Sequence, residues 1–235
     1  MKTVKISALV LAMAGVFATS ANAQSAKTNA WEGAYGQVSV GYGQFSPSLS
    51  NGTTSNPALY TTTGTVNNIS TGVANIAAGY NFGINSNYIL GLGASYYPGA
   101  SSSATGQLKV MVAANGATYN TQTATYNVKN LYNIYLSPGY VIDKDKLAYL
   151  KVGYTGATIG LNSPLIPYNS TNLSGYTLGL GYKQMITSSL YMLGEFNYAS
   201  YGSVTASTTT TTGLGLSQPI KGTGMDFLVG LGYRF

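Results

Sequence analysis

The sequence predicts an all-β fold, an antiparallel up-and-down barrel of eight strands that crosses a membrane. Three observations lead to this prediction. At 225–235 large apolar residues alternate with small or charged ones, which gives a strand one apolar face. The alternation recurs along the chain, and only 7% of all residues are charged. Because soluble domains carry about 25% charged residues, the apolar face is expected to contact lipid.

The N-terminus has the pattern of a cleaved export signal. Two lysines precede an apolar stretch at 6–18, and the Ala-Asn-Ala at 21–23 fits the small-residue rule for cleavage. A retained membrane anchor is the alternative, but a spanning helix needs about 20 apolar residues. The expected division is therefore a signal peptide at 1–23 and an outer-membrane β-barrel domain at 24–235.

The first four predicted strands are 31–45, 72–82, 87–97 and 129–142. In the first, Val38, Val40 and Tyr42 alternate with polar or small residues. The residues expected to face lipid in the next three are Ile76, Tyr80 and Phe82; Tyr88, Leu90 and Leu92; and Tyr132, Ile134, Leu136 and Tyr140. Pro138 interrupts the fourth strand, where a bulge or a misplaced strand boundary is expected.

The last four predicted strands are 147–159, 173–185, 189–201 and 225–235. The residues expected to face lipid are Leu150, Val152 and Tyr154; Tyr176, Leu178, Leu180 and Tyr182; Leu190, Met192, Phe196 and Tyr198; and Phe227, Val229, Leu231 and Tyr233. Strands in hydrocarbon must close into a barrel, because an open edge would leave backbone groups without hydrogen bonds. An even number of strands is typical of such barrels.

The connections alternate between short and long. Short turns are predicted at 83–86, 143–146 and 186–188. Long loops rich in Ser, Thr, Asn and Gly are predicted at 46–71, 98–128, 160–172 and 202–221. Barrels of the bacterial outer membrane have short periplasmic turns and long extracellular loops, so both termini are expected on the periplasmic side.

Tyrosine is unusually frequent, with 21 residues. Many tyrosines fall near predicted strand ends, where an aromatic ring with a polar tip suits the lipid headgroup level. An aromatic platform for sugars or bases is the alternative. The tyrosines assigned to such a girdle are Tyr35, Tyr80, Tyr88, Tyr97, Tyr132, Tyr140, Tyr149, Tyr182, Tyr198, Tyr201 and Tyr233.

Five charged residues fall on the inward face: Lys151, Lys183, Glu195, Asp226 and Arg234. A narrow barrel fills its interior with side chains, and buried charges need partners. These residues are therefore expected to form a lumen charge network. A structural plug is the favoured interpretation, and a gate or a proton path is the alternative.

Catalytic chemistry is not expected. The sequence contains no histidine and no cysteine, which removes the commonest general base, the Ser-His and Cys-His arrangements and the usual zinc ligands. Only five carboxylates are present. We therefore predict no catalytic residues, no metal site and no cofactor.

Three segments carry family motifs. The ending VGLGYRF at 229–235 is similar to VGLNYRF, LGEFNYASYG at 193–202 is similar to R-x-EYRYTDYG, and WEGAY at 31–35 fits W-x-G-x-Y. In these motifs the chain resembles the opacity-type and OmpA-like eight-stranded outer-membrane barrels, often called the porin family. Met225, Leu193 and Asn197 depart from the family pattern, which usually has His at the first position and Arg at the others.

The resemblance implies a Gram-negative cell-surface protein that is anchored in outer-membrane lipid and lipopolysaccharide. It also implies contact with the barrel-assembly machinery through the C-terminal strand, with Tyr233 and Phe235 as the assembly signal. A host or matrix ligand would bind at the loops. Nucleic acid is not an expected partner, and a monomer is expected.

Three functional hypotheses follow. The first is a structural or surface-interaction role, adhesin-like or opacity-like, carried by the extracellular loops. The second is a narrow porin-like channel for ions or small solutes, which is disfavoured because eight strands leave an interior just wide enough for side chains. The third is a soluble secreted β-sandwich adhesin, which would stay in solution without detergent.

Overall fold

The computed structural model describes residues 29–99, 103–164, 166–211 and 213–235. The predicted signal peptide lies outside the described residues. No helix in the described part of the chain is long and apolar enough to cross a membrane. The strands are β1 (Gly33–Leu49), β2 (Gly52–Thr54), β3 (Tyr60–Val66), β4 (Ile69–Gly83), β5 (Tyr88–Tyr96), β6 (Ser103–Val112), β7 (Thr118–Asp143), β8 (Lys146–Ser163), β9 (Ile166–Met185), β10 (Leu190–Thr209) and β11 (Gly215–Arg234).

All strand pairs are antiparallel, and the sheet closes on itself. β1 pairs with β4 on one side and with β11 on the other, and the circuit returns from β4 through β5, β7, β8, β9 and β10 to β11. The predicted antiparallel up-and-down fold is confirmed. Closure satisfies the backbone groups that an open edge would expose.

The predicted count of eight strands is not confirmed, because the described residues form eleven. The difference lies in three additional strands, β2, β3 and β6. β2 continues the direction of β1 and pairs with β11. β3 precedes β4 in the chain and β6 follows β5, and β3 and β6 pair with each other beyond the paired ends of β4 and β5. Three positions of the barrel wall are thus interrupted, whereas β7 runs without a break for 26 residues.

The prediction of four long loops is largely wrong, because most of the residues assigned to them lie in strands. The four loops were predicted at 46–71, 98–128, 160–172 and 202–221. β8 and β9, for example, remain paired as far as Ser163 and Ile166. The barrel therefore continues well beyond its lipid-facing band. We call this continuation the extension, and its side of the barrel the far end.

The short turns are confirmed, and they define the opposite, short-turn end. β4 and β5, β7 and β8, and β9 and β10 are joined by two to four residues each. In the β7–β8 turn, Lys146 Nζ lies 2.8 Å from Asp143 Oδ2. The hydrogen bond from Lys146 lowers the pKa of the Asp143 carboxyl below its ordinary value.

The large apolar residues point outward as predicted. Val40 is 62% exposed, Leu180 58% and Val229 48%. A water-soluble protein would bury side chains of this size. They form a continuous outer band that suits contact with lipid.

Neither the bulge nor the misplaced strand boundary expected at Pro138 is found, because Pro138 lies inside the described strand β7. Pro138 pairs with Leu90 of β5, and the β7–β8 register is the same at Leu136 and at Gly139. The register of β7 shifts instead next to Asn130, which has a left-handed backbone with φ of 52°. A bulge at this place changes which alternate residues of β7 point inward.

Candidate functional site

The interior of the barrel holds a buried ion pair. Lys151 of β8 and Glu195 of β10 lie on inward positions, and Lys151 Nζ is 2.7 Å from Glu195 Oε1. Their side chains are 2% and 3% exposed. Tyr149 donates its hydroxyl to Glu195 Oε2 at 2.7 Å. Both carboxylate oxygens therefore have a donor, which a buried charge requires.

Asn197 connects this pair to a second carboxylate. Its Nδ2 donates to Glu195 Oε1 at 2.9 Å and to Asp226 Oδ1 at 2.8 Å. Tyr97 donates its hydroxyl to Asp226 Oδ2 at 3.0 Å. A hydrogen-bonded chain thus runs from Lys151 to Tyr97, and we call it the polar chain: Lys151, Tyr149, Glu195, Asn197, Asp226 and Tyr97.

Lys183 is held by aromatic rings. Its Nζ lies 4.3 Å from the ring centre of Tyr35, 5.0 Å from that of Tyr149 and 4.9 Å from that of Tyr191. Ring faces attract a cation, most strongly where water is excluded. We call Lys183 and these three tyrosines the lysine cage.

The short-turn end below the lysine cage is closed by Trp31. Its ring meets Tyr191 edge to face, with ring centres 5.7 Å apart. Asn29 fixes the segment, because its side chain donates to the carbonyl oxygens of Asn85 and Ser86 in the β4–β5 turn. Trp31, Tyr191 and Leu147 are among the most deeply buried side chains of the described residues.

The structure brings four of the five predicted charged residues into the middle of the barrel. Two cations, Lys151 and Lys183, lie near two carboxylates, Glu195 and Asp226, so the formal charges balance. Arg234 lies elsewhere, because the end of β11 places its guanidinium at the carbonyl oxygen of Ser188, 2.7 Å away. Arg234 is therefore not part of the charge network, contrary to the prediction.

The girdle prediction is wrong for four tyrosines. Tyr35, Tyr97, Tyr149 and Tyr201 are buried inside the barrel. Tyr35 lies two residues from the inward Gln37, and Tyr149 lies two residues from the inward Lys151. The alternation of the strands therefore indicates that both tyrosines point inward. The tyrosines that are exposed on the outer face as predicted include Tyr88, Tyr140, Tyr182 and Tyr233.

The C-terminal residues lie on the outside of the short-turn end. The rings of Tyr233 and Phe235 are exposed, and they meet edge to face, with centres 5.1 Å apart and an interplanar angle of 66°. The backbone N–H of Phe235 donates to the carbonyl oxygen of Ala34 at 2.9 Å. The last residue is thus tied to the beginning of β1.

A comparison with known protein families identifies the family of this barrel. Residues 9–235 match the family described as outer membrane protein beta-barrel domain. The chain belongs to this family. The protein is accordingly an outer-membrane protein with its strands in the lipid bilayer, and the family consists mainly of barrels without enzymatic activity.

Solved structures of outer-membrane proteins resemble the barrel. OprG from Pseudomonas aeruginosa has a TM-score of 0.58 at 12% identity, over 89% of this chain and 99% of OprG. Ail of Yersinia pestis, solved with the heparin analogue sucrose octasulfate, has a TM-score of 0.44 at 12% identity, over 86% of this chain and 99% of Ail. No curated protein sequence matches the chain. At 12% identity the likeness to OprG shows the fold alone.

Proposed function

We propose that this barrel is a non-conducting surface protein of the outer membrane, without enzymatic activity, whose extracellular extension has a structural or surface-interaction role. The filled short-turn half of the lumen carries the proposal. The lysine cage and the Lys151–Glu195 pair occupy the barrel core, and Trp31 closes the end below them. A barrel that is eight strands around leaves little further space at the level of these residues.

The extracellular tip offers a surface for contact. Exposed large apolar side chains on the extension include Leu59, Tyr119 and Tyr168. Tyr119 packs against Tyr60 with ring centres 5.0 Å apart, and Ala113 N donates to Leu59 O at 2.8 Å. The β2–β3 connection and the β6–β7 hairpin therefore present one joined apolar tip, of the aromatic composition that protein interfaces favour.

Further partners belong to the same proposal. Lipopolysaccharide would surround the outer band, and the exposed rings of Tyr233 and Phe235 would meet the barrel-assembly machinery. A signal peptide at 1–23 would direct export. The closed hydrogen-bonded wall supports a monomer, because among the described residues no long strand edge in the lipid-facing band remains to pair with a second copy.

The surface role predicts that the tip residues mediate adhesion. Cells that display the protein are expected to bind an extracellular-matrix coating, and the double variant Leu59→Ser/Tyr119→Ser is expected to lose most of this binding. Burial of apolar anchors supplies most interface energy. The matched control is Thr61→Ser/Thr121→Ser, which alters neighbouring exposed positions and should retain adhesion. Equal adhesion by both variants would refute a role for the tip.

The plugged interior predicts electrical silence. In planar lipid bilayers the purified protein is expected to show no steady open state, because the lysine cage and the buried ion pair fill the path. Subsequent addition of a large open porin to the same membrane controls for sensitivity. Reproducible single-channel steps from the unmodified protein would instead support the narrow-channel hypothesis.

A further inference from the structure

The inner and outer faces of the barrel wall exchange their polarity beyond the lipid-facing band. Near the short-turn end of β8 the inward residues include Tyr149 and Lys151, and the outward ones are Leu150 and Val152. Farther along the same strand the inward residues are Ala157, Ile159 and Leu161, and the outward ones include Thr158 and Asn162. The extension is thus built like a water-soluble barrel, with a polar outside and an apolar inside.

The apolar inside of the extension is not filled. It encloses an open space of about 910 Å³, a volume that includes its solvent-connected part. Leu49, Leu108, Ile159, Leu161 and Ile220 are among the residues that line this space, and none of the described lining residues is charged. We call it the apolar chamber.

An apolar layer lies between the chamber and the polar chain. Phe45 and Tyr201 meet edge to face with ring centres 5.7 Å apart, and Val128, Ile159 and Leu173 belong to the same buried cluster. The charges of the polar chain are thus set apart from the chamber. A ligand in the chamber would find few ionic partners, so the site suits an uncharged molecule.

Two polar side chains of the chamber wall, Gln218 and Tyr126, have hydrogen-bond partners in the wall itself. Gln218 Nε2 donates to the carbonyl oxygen of Ser50, and Gln218 Oε1 accepts from Thr62 Oγ1 at 3.0 Å. The Tyr126 hydroxyl donates to the carbonyl oxygen of Asn67. Apolar contact is therefore the main interaction that the chamber offers.

The backbone ladder between β9 and β10 is interrupted in the chamber wall, and we call this interruption the gap. The backbone pairing of these strands ends at Gly175 and Tyr201, although β9 begins at Ile166 and β10 runs on to Thr209. Asn169 Nδ2 bridges the gap to Ser207 O at 3.0 Å. Thr171 and Ala206, one from each side of the gap, line the chamber.

We propose that the apolar chamber binds one small, uncharged hydrophobic molecule, which enters through the gap between β9 and β10. A closed barrel that is eight strands around is wide enough to hold one small ligand. This inference goes beyond the surface role and does not depend on it, since the tip residues Leu59 and Tyr119 are not among the chamber-lining residues.

Fluorescence titration with neutral aminoanthracene tests the chamber. The protein is held in lipid nanodiscs, and empty nanodiscs correct for partition into lipid. Saturable binding of one probe per chain is expected. The inward substitution Ala206→Trp should weaken binding at least about tenfold by filling the chamber, whereas the outward substitution Thr205→Trp should change it less than about twofold.

A second pair of variants guards against a folding artefact. Ala124 lines the chamber and Thr125 points outward from the same strand, so Ala124→Trp and Thr125→Trp should repeat the contrast. Heat-modifiable gel migration identifies the variants that fold. Absence of saturable binding, equal binding by the inward and outward variants, or equal affinity for anionic anilinonaphthalene sulfonate would each overturn the proposal.

Discussion

Replacing Glu195 with glutamine is expected to lower the free energy of unfolding by about 3–5 kcal/mol, the usual cost of removing one partner from a buried ion pair. The side chain of Glu195 is 3% exposed and contacts Lys151 Nζ at 2.7 Å. In the variant the Lys151 amine would lose the carboxylate that lies 2.7 Å away. Urea titration of the barrel in phospholipid bilayers, followed on heat-modifiable gels, measures the change.

The double variant Lys151→Met/Glu195→Gln is the matched control. It removes one positive and one negative charge together, so the formal charges of the remaining pair, Lys183 and Asp226, still sum to zero. Replacing both partners of a buried pair is often close to neutral. We therefore expect the double variant to be more stable than Glu195→Gln alone. A single variant that loses less than about 1 kcal/mol would show that the ion pair does not stabilise the plug.

The sequence predicted the lipid-facing part of the fold well, for a physical reason. In the membrane both faces of a strand are constrained, since lipid requires large apolar residues outside and the narrow lumen requires small or polar ones inside. Val38, Leu180 and Val229 therefore stand out in the sequence, and all of them are exposed. The short turns were equally visible, because they interrupt this alternation.

The extension could not be predicted in the same way. Outside the membrane its outer residues are Ser, Thr and Asn, which suit a hydrated loop as well as a strand. Apolar residues such as Leu161, Ile166 and Leu216 alternate with them, but they are sparse in the sequence. Their common inward direction becomes apparent only when the strand pairing is known.

The sequence predicted which charged residues point into the barrel, but not which residues they contact. The inward alternation identifies Lys151 and Glu195 on separate strands, but their 2.7 Å contact depends on the register of β8, β9 and β10. Tyr97 lies just beyond a strand end and reaches Asp226 across the lumen. Arg234 has the inward alternation as well, yet its place at the end of β11 takes it to Ser188 instead.

Arginine at Val229 is expected to destabilise the barrel by about 2–4 kcal/mol, the cost of a cation on the lipid face near the bilayer midplane. Val229 is the central member of the outward series Met225, Phe227, Val229, Leu231 and Tyr233 on β11. It lies opposite Val40 of β1 in the closed wall. The measurement is again urea unfolding in phospholipid bilayers.

Met225→Arg provides a control that separates membrane depth from exposure. Val229 is 48% exposed and Met225 44%, so a surrounding of water would make the two substitutions similarly mild. In a bilayer Met225 lies at the far-end edge of the apolar series, where the cost should fall to about 0–1 kcal/mol. Equal, small losses at both positions would contradict the lipid contact of this face. A large loss at Val229 alone identifies hydrocarbon as its surroundings.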